Sequence, residues 1–209
     1  MGYSHYLYTP KEIKKRTWNK ITKDVKIVLE YIDTQMGVKL ANGSGEPNTS
    51  PDIDGQCICF NGSDAQPAGL WTTNENISLP WPSNSASITD TDESPISEKT
   101  DGTWFAGDLV SQRVAPVDNL TGLGSGSYET CYIDRISEGH FVDREKLYFS
   151  CCKTAYRPYD IAVTAVYLIV KHYVPECIVR TDGKDKDWLD ARILLENLLQ
   201  YGMSVEVEY

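Results

Sequence analysis

The segment CCKTAYRPYD, residues 151–160, sets two thiols, an amine, a guanidinium, hydroxyls and a carboxylate directly ahead of the apolar run IAVTAVYLIV. An apolar run behind a polar loop, ended by Lys171, reads as a buried helix. The start of a helix offers unpaired N–H groups and partial positive charge, which favour an anion. Lys153 and Arg157 would add charge-assisted donors there, Arg being suited to two-pronged contact with phosphate or carboxylate. Thr154 adds a hydroxyl. Asp160 has two readings: a plain capping carboxylate, or a group that faces a cavity together with Tyr159 and Arg157. Asp160, Thr164, Tyr167 and Lys171 fall on one stripe of the helix, which is either its solvent edge or the wall of a site.

A second concentration of chemistry lies at the start, in Tyr3, His5, Tyr6 and Tyr8. Aromatic rings with polar tips can wall a planar base or a sugar. Strand alternation puts Tyr6 and Tyr8 on one face with Ser4, and Tyr3 and His5 on the other, so Tyr3 and Tyr6 need not meet one ligand. Asn61, in FNG, and Asp182, in TDG at the end of a strand, are further polar contacts; Asp182 suits a ribose or a cation. Among the six cysteines, Cys57-x-Cys59 and the adjacent Cys151 and Cys152 lack common zinc-ligand spacing, and a four-thiolate site joining the pairs is the weaker reading. A thiol–imidazole pair of Cys151 or Cys152 with His5 or His140 is an alternative, open to only one of the two cysteines because neighbours in a strand face opposite ways. No metal site and no cofactor is expected.

Composition narrows the function classes. Thirty acidic against twenty basic residues give the 209-residue chain a net charge of −10. That balance disfavours broad contact with DNA or RNA, which needs a basic face to release counterions, yet leaves room for a recessed Lys–Arg pair. The start MGYSHYLYTP has no secretory pattern, and the apolar run Ile161 to Val170 is too short to span a bilayer. The expectation is a cytosolic protein with reduced thiols.

The elements that must position these groups follow from pattern. Residues 2–8 read as a strand, and Thr9-Pro10-Lys11-Glu12 as a capping box opening a helix over about 10–35. Within it Trp18, Ile21, Val25, Val28, Leu29 and Ile32 recur on one face. Short runs from VKLA to KLYFSC, set among Gly, Pro, Asn and Ser, read as antiparallel strands. They are interrupted by an acidic loop around 83–101 and a Gly/Ser loop around 118–127, whose GLGSGS is not a phosphate loop. A helix from about Pro158 to Tyr173, the strand CIVRT, a helix from Asp187 to Tyr201 capped by Gly202, and a last strand SVEVEY complete the order. The sum is one α+β domain over residues 1–209, a largely antiparallel sheet packed against about three helices.

Taken together, MGYSHY, FNG, YET at 128–130, CCKTAYRPYD and TDG followed by Trp188 resemble a family of uncharacterised bacterial and phage proteins. That family opens Met-Gly-Tyr-Thr-His-Tyr and carries Cys-Lys-Thr-Ala-x-x-Pro-Tyr-Asp. The resemblance runs from Gly2 to about Gly202; Ser4 and Leu7 depart from the pattern, and Ser83 to Ser127 is peculiar to this chain. It brings no established activity; it implies a phage or mobile-element setting and a meeting of the separated segments in one place. The expectation is a protein that binds a small anionic, nucleotide-like ligand. Lys153, Thr154 and Arg157 would hold the anion, Tyr3, Tyr6 and Tyr159 would wall the base or sugar, and His5, Asn61 and Asp182 would be polar contacts. In a phage such a protein would sequester a nucleotide signal of host immunity. The rivals are an enzyme that uses the same cluster, with Lys153 or His5 as acid or base or Cys152 as nucleophile, and a virion or host-protein partner. No extended nucleic acid and no membrane is expected as a partner, and self-association stays open.

Overall fold

The Tyr-rich start forms β1 (Ser4–Thr9), in which half-buried Ser4, Tyr6 and Tyr8 alternate with buried His5, Leu7 and Thr9. A strand patterned this way needs cover on one face. The cover is α2 (Asp160–Tyr173), buried at every position from Asp160 to Val170. The computed structural model describes residues 3–66, 79–80, 103–104, 125–155 and 157–208. The acidic loop at 83–101, residues 118–124 of the Gly/Ser loop and, among the runs read as strands, most of WFAGDLV at 104–110 lie outside the described residues.

The architecture is α+β, with three helices and two antiparallel four-stranded sheets among the described residues. β1 lies inside the first sheet, between β10 (Ile178–Thr181) and β9 (Leu147–Lys153), with β8 (His140–Val142) outside β9. Its register pairs Ser4 with Lys153, His5 with Cys152 and Tyr6 with Cys151 on one side, and His5 with Thr181 and Tyr6 with Arg180 on the other. In the second sheet β4 (Cys57–Gly62) pairs with β2 (Leu40–Ala41), β3 (Asp52–Ile53) and β7 (Cys131–Asp134). β5 (Leu79–Pro80) and β6 (Thr103–Trp104) form a separate two-stranded ladder.

The core joins the inner face of the first sheet, the second sheet and the helices. Leu7, Cys152 and Val179 meet α2; Ile58, Phe60, Cys131 and Ile133 supply the second sheet's share. From α1 (Lys15–Thr34) come the expected Trp18, Ile21, Val25, Val28, Leu29 and Ile32, all buried. α3 (Leu189–Leu199), entered through a 3-10 turn at Asp185–Trp188, buries Leu189 through Leu195. Among the described residues, no helix is long and apolar enough to cross a membrane.

Three local expectations fail, each for a tertiary reason, and one open reading is decided. Thr9 does not cap α1: it stays in β1 opposite Tyr148, and the helix starts only at Lys15. Ile13 N–H donates to Arg135 O at 2.8 Å, Ser137 N–H to Lys11 O at 2.8 Å, and Arg135 Nη1 to Glu12 Oε1 at 2.8 Å. Pairing with the 135–137 segment has displaced the capping box. At the end of α3 the left-handed residue is Gln200, with φ of 63°, not Gly202. Gly202 is needed for another reason: a Cβ there would lie 2.6 Å from Arg192 O. Residues 204–208 form no strand: Arg192 Nη1 donates to the carbonyls of Gly202, Met203 and Val205, and one isolated bridge pairs Glu208 with Arg180. Finally, the polar stripe of α2 is no solvent edge, since Asp160, Thr164 and Tyr167 are buried. Lys171, half-buried, donates to Pro175 O at 2.9 Å and Cys177 O at 2.6 Å, closing the turn after the helix.

Trp18 is fully enclosed and donates its indole N–H to Asp54 O at 2.9 Å, pinning α1 to the turn before β4. Trp18→Ala removes both the ring and that bond. It is expected to cost about 3–5 kcal/mol of unfolding free energy, read from urea denaturation; a loss below about 1 kcal/mol would refute this role.

Candidate functional site

The separated motifs meet around His5. Its ring is wholly buried, edge-on to Tyr3 (centroids 4.8 Å apart) and to Trp188 (4.9 Å). Nε2 lies 2.7 Å from Asp160 Oδ1, and Nδ1 lies 3.0 Å from Thr181 Oγ1. Thr154 Oγ1 donates to the same Asp160 oxygen at 2.5 Å, and Gly183 N–H donates to Thr181 Oγ1 at 2.9 Å. Both ring nitrogens of His5 are thus engaged, Nε2 by Asp160 and Nδ1 by Thr181. Gly183 has no room for a side chain, because a Cβ would lie 2.6 Å from the Tyr3 ring.

A second set of bonds fixes the loop that precedes β7. Asn61 donates from Nδ2 to Tyr128 O at 3.1 Å and to Gly43 O at 3.3 Å, and accepts Tyr128 N–H on Oδ1 at 3.1 Å. The glycine of FNG permits close approach: a Cβ on Gly62 would lie 2.3 Å from Gly126 O and 2.9 Å from Tyr159 Cδ1. Tyr159 donates its hydroxyl to Glu129 O at 2.7 Å, and burial pushes that phenol far up, so it remains a donor. Asp64 accepts hydroxyls from Ser125 and Ser127, and those bonds hold its carboxyl below the usual range.

On this frame, six of the ten predicted site residues (Tyr3, His5, Asn61, Thr154, Tyr159 and Asp160) are enclosed. The bonds traced above for His5, Asn61, Thr154, Tyr159 and Asp160 run to other parts of the chain, and these residues act as supports. Asp182 is exposed, and Lys153, Arg157 and Tyr6 are half-buried. Lys153 and Arg157 converge, both on the ring of Tyr128: Lys153 Nζ stands 5.3 Å and the Arg157 guanidinium carbon 5.8 Å from its centroid. Tyr128 is 45% exposed. Arg157 Nε and Nη1 are shielded from solvent, and no hydrogen-bond partner reaches them among the described residues. Among the described residues neither cation forms an ion pair with a carboxylate; Glu129 accepts the backbone N–H of Lys153 on Oε2 at 2.8 Å. Tyr6 and Asp182 form a separate contact, the phenol donating to Asp182 Oδ1 at 2.8 Å.

Tyr128 is the residue that sequence reasoning missed as a contact. It stands twenty-five positions before Lys153, and no spacing rule links the two; only its place in YET marked it. A cleft of about 480 Å³ between α1 and residues 49–53 takes in none of the predicted residues.

Nucleophilic chemistry has little footing here. Cys151 is exposed and Cys152 buried, on opposite faces of β9 as alternation requires, which also prevents a four-thiolate site with Cys57 and Cys59. His5 and Cys152 are register partners, yet both imidazole nitrogens are engaged elsewhere and Cys152 Sγ donates to Glu129 O at 3.3 Å. Burial, reinforced by Glu129, pushes the Cys151 thiol up, away from the thiolate that attack requires. Comparison of the chain with protein-family models, with curated proteins and with solved structures gave no match in any of the three.

Two outcomes are expected from this frame. Asp160→Ala strands a buried imidazole and a buried hydroxyl, and should cost about 3–5 kcal/mol in denaturant unfolding, whereas Asp160→Asn, which can still accept, should cost less. For Asp64 the folded pKa lies below the unfolded value. Its clamp on residues 125–127 therefore contributes fully above about pH 4 and is lost as pH falls through the depressed value. Amide protection at Ser127 should drop in acid before the β1–β9 ladder opens, and Asp64→Asn should abolish that separate step.

Proposed function

We propose that the protein binds a small anionic, nucleotide-like ligand at the Lys153–Tyr128–Arg157 cluster. The observation that carries this reading is the state of Arg157: two guanidinium nitrogens shielded from water and without partners, beside a second cation that shares the same aromatic ring. A shielded donor left unmade costs about 1–3 kcal/mol, and more on a charged group. An oxoanion recovers that cost through charge-assisted bonds, and Lys153 adds a point charge from the other side. Lys153 and Arg157 set two cations on one aromatic ring in a chain of net charge −10. That contrast favours a small anion over a nucleic-acid duplex, which requires a broad basic face. Thr154 and Asp160 contribute indirectly, by fixing the end of β9, where Lys153 stands, and the loop that carries Arg157.

In a phage, a protein of this kind would withdraw a nucleotide signal of host immunity; that extension rests on the family resemblance, and the identity of ligand released from the denatured protein decides it. The enzymatic rival keeps Lys153 as an acid or base, since His5 and Cys152 are sealed. Intact recovery of released ligand separates binding from turnover.

The test is a calorimetric titration of the purified protein with pyrophosphate and a nucleotide panel. Arg157→Ala and Lys153→Ala should each weaken binding by about 10-fold or more, with the unfolding midpoint of each variant measured alongside to separate loss of binding from loss of fold. Equal affinities in wild type and both variants, or no binding across the panel, would overturn the reading.

A further inference from the structure

The outer face of the first sheet extends the cation cluster into a row of different chemistry. Ser4 pairs in register with Lys153 across β9, and Asp182 N–H donates to Ser4 O at 3.1 Å, continuing the β1–β10 ladder by one position. Residues opposite one another in a ladder share a face, so Asp182, Ser4 and Lys153 form one row on the side away from α2. Burial agrees: Thr181, His5 and Cys152, each one position off, are all enclosed. Adjacent strands lie about 4.8 Å apart, which puts Asp182 about 10 Å from Lys153, with the Ser4 hydroxyl between them.

Asp182 is exposed, and its orientation is set by Tyr6, whose hydroxyl donates to Oδ1 at 2.8 Å. Burial and that bond push the Tyr6 phenol up, so it stays a donor. The ring of Tyr6 is steadied in turn by Phe149, with centroids 6.1 Å apart and planes 25° from parallel. A surface carboxylate held this way presents its other oxygen, Oδ2, as an acceptor. At roughly one Debye length from Lys153 its repulsion of a bound anion is largely screened. It therefore leaves the anion end intact while rewarding a ligand whose far end donates hydrogen bonds.

We infer that Asp182, positioned by Tyr6, accepts hydrogen bonds from a vicinal diol, so that the ligand of the Lys153–Arg157 cluster is a phosphorylated ribose. This rests on the anion-binding reading and goes beyond it in naming the class of ligand. The phosphate lies with Lys153 and Arg157, the sugar crosses Ser4, and its hydroxyl pair meets Asp182. A carboxylate only accepts, and a diol supplies two donors, whereas a 2-deoxy sugar lacks the pair.

The test compares pyrophosphate, ribose 5-phosphate, 2-deoxyribose 5-phosphate and AMP on the full chain and on Asp182→Asn. Ribose 5-phosphate should bind at least about 10-fold more tightly than its 2-deoxy counterpart. In Asp182→Asn that ratio should fall toward one while pyrophosphate affinity stays unchanged. AMP binding more tightly than ribose 5-phosphate assigns the ligand to a nucleotide, and the reverse assigns it to a free sugar phosphate. Equal affinity for the two sugars, with pyrophosphate still bound, overturns the diol inference and spares the anion site. Failure of every probe, pyrophosphate included, overturns both.

Discussion

The bond between His5 and Asp160 is the constraint around which the rest is arranged. An imidazole and a carboxylate, each almost completely removed from water, can coexist only if their remaining hydrogen-bonding capacity is met. Thr154 and Thr181 meet it at distances of 2.5 and 3.0 Å. Those four residues come from β1, the loop after β9, the first turn of α2 and the end of β10. The network thus sets where the buried helix begins relative to the sheet. Because Lys153 ends β9 and Arg157 lies on the loop between that strand and Asp160, it also sets where the two cations stand.

This arrangement divides the motif residues into two populations. Tyr3, His5, Asn61, Thr154, Tyr159 and Asp160 face inward, where unmet polar groups would be costly, and they serve to hold segments together. Lys153, Arg157, Tyr6 and Asp182 face outward, one or two residues away in the same short segments. Polar residues at the mouth of an apolar helix therefore have a dual origin. Some are there because a helix that buries its first turn needs internal partners, others because the same turn delivers a loop to the surface. Asn61 links the populations, since its amide fixes the backbone of Tyr128, on whose ring both cations rest.

An acidic chain makes such a cluster a contrast rather than part of a basic surface. Long-range potential does little to draw an anion toward a protein of net charge −10, so the proposed binding would depend on short-range, shielded contacts. In the proposed anion site Arg157 would supply these, its Nε and Nη1 being screened from water, and the Tyr128 ring lies beside both cations without neutralising either.

Periodicity in the chain was enough to establish the α+β class, the apolar face of α1, the burial of α2 and the alternation of β1, because each depends on a local repeat that hydrophobic burial reads directly. The strand CICFNG and the split of Cys151 from Cys152 follow from the same rule. What the tertiary structure alone decided concerns competition for backbone and side-chain hydrogen bonds. Thr9 kept its place in a strand because Tyr148 lies opposite, Glu12 turned to Arg135, and the last residues gave carbonyls to Arg192. The site divides in the same way. Lys153 and Arg157 were legible as cations before a helix, but Tyr128 and the inward role of Asp160 depend on partners up to 155 positions away, and no local pattern encodes a contact at that separation.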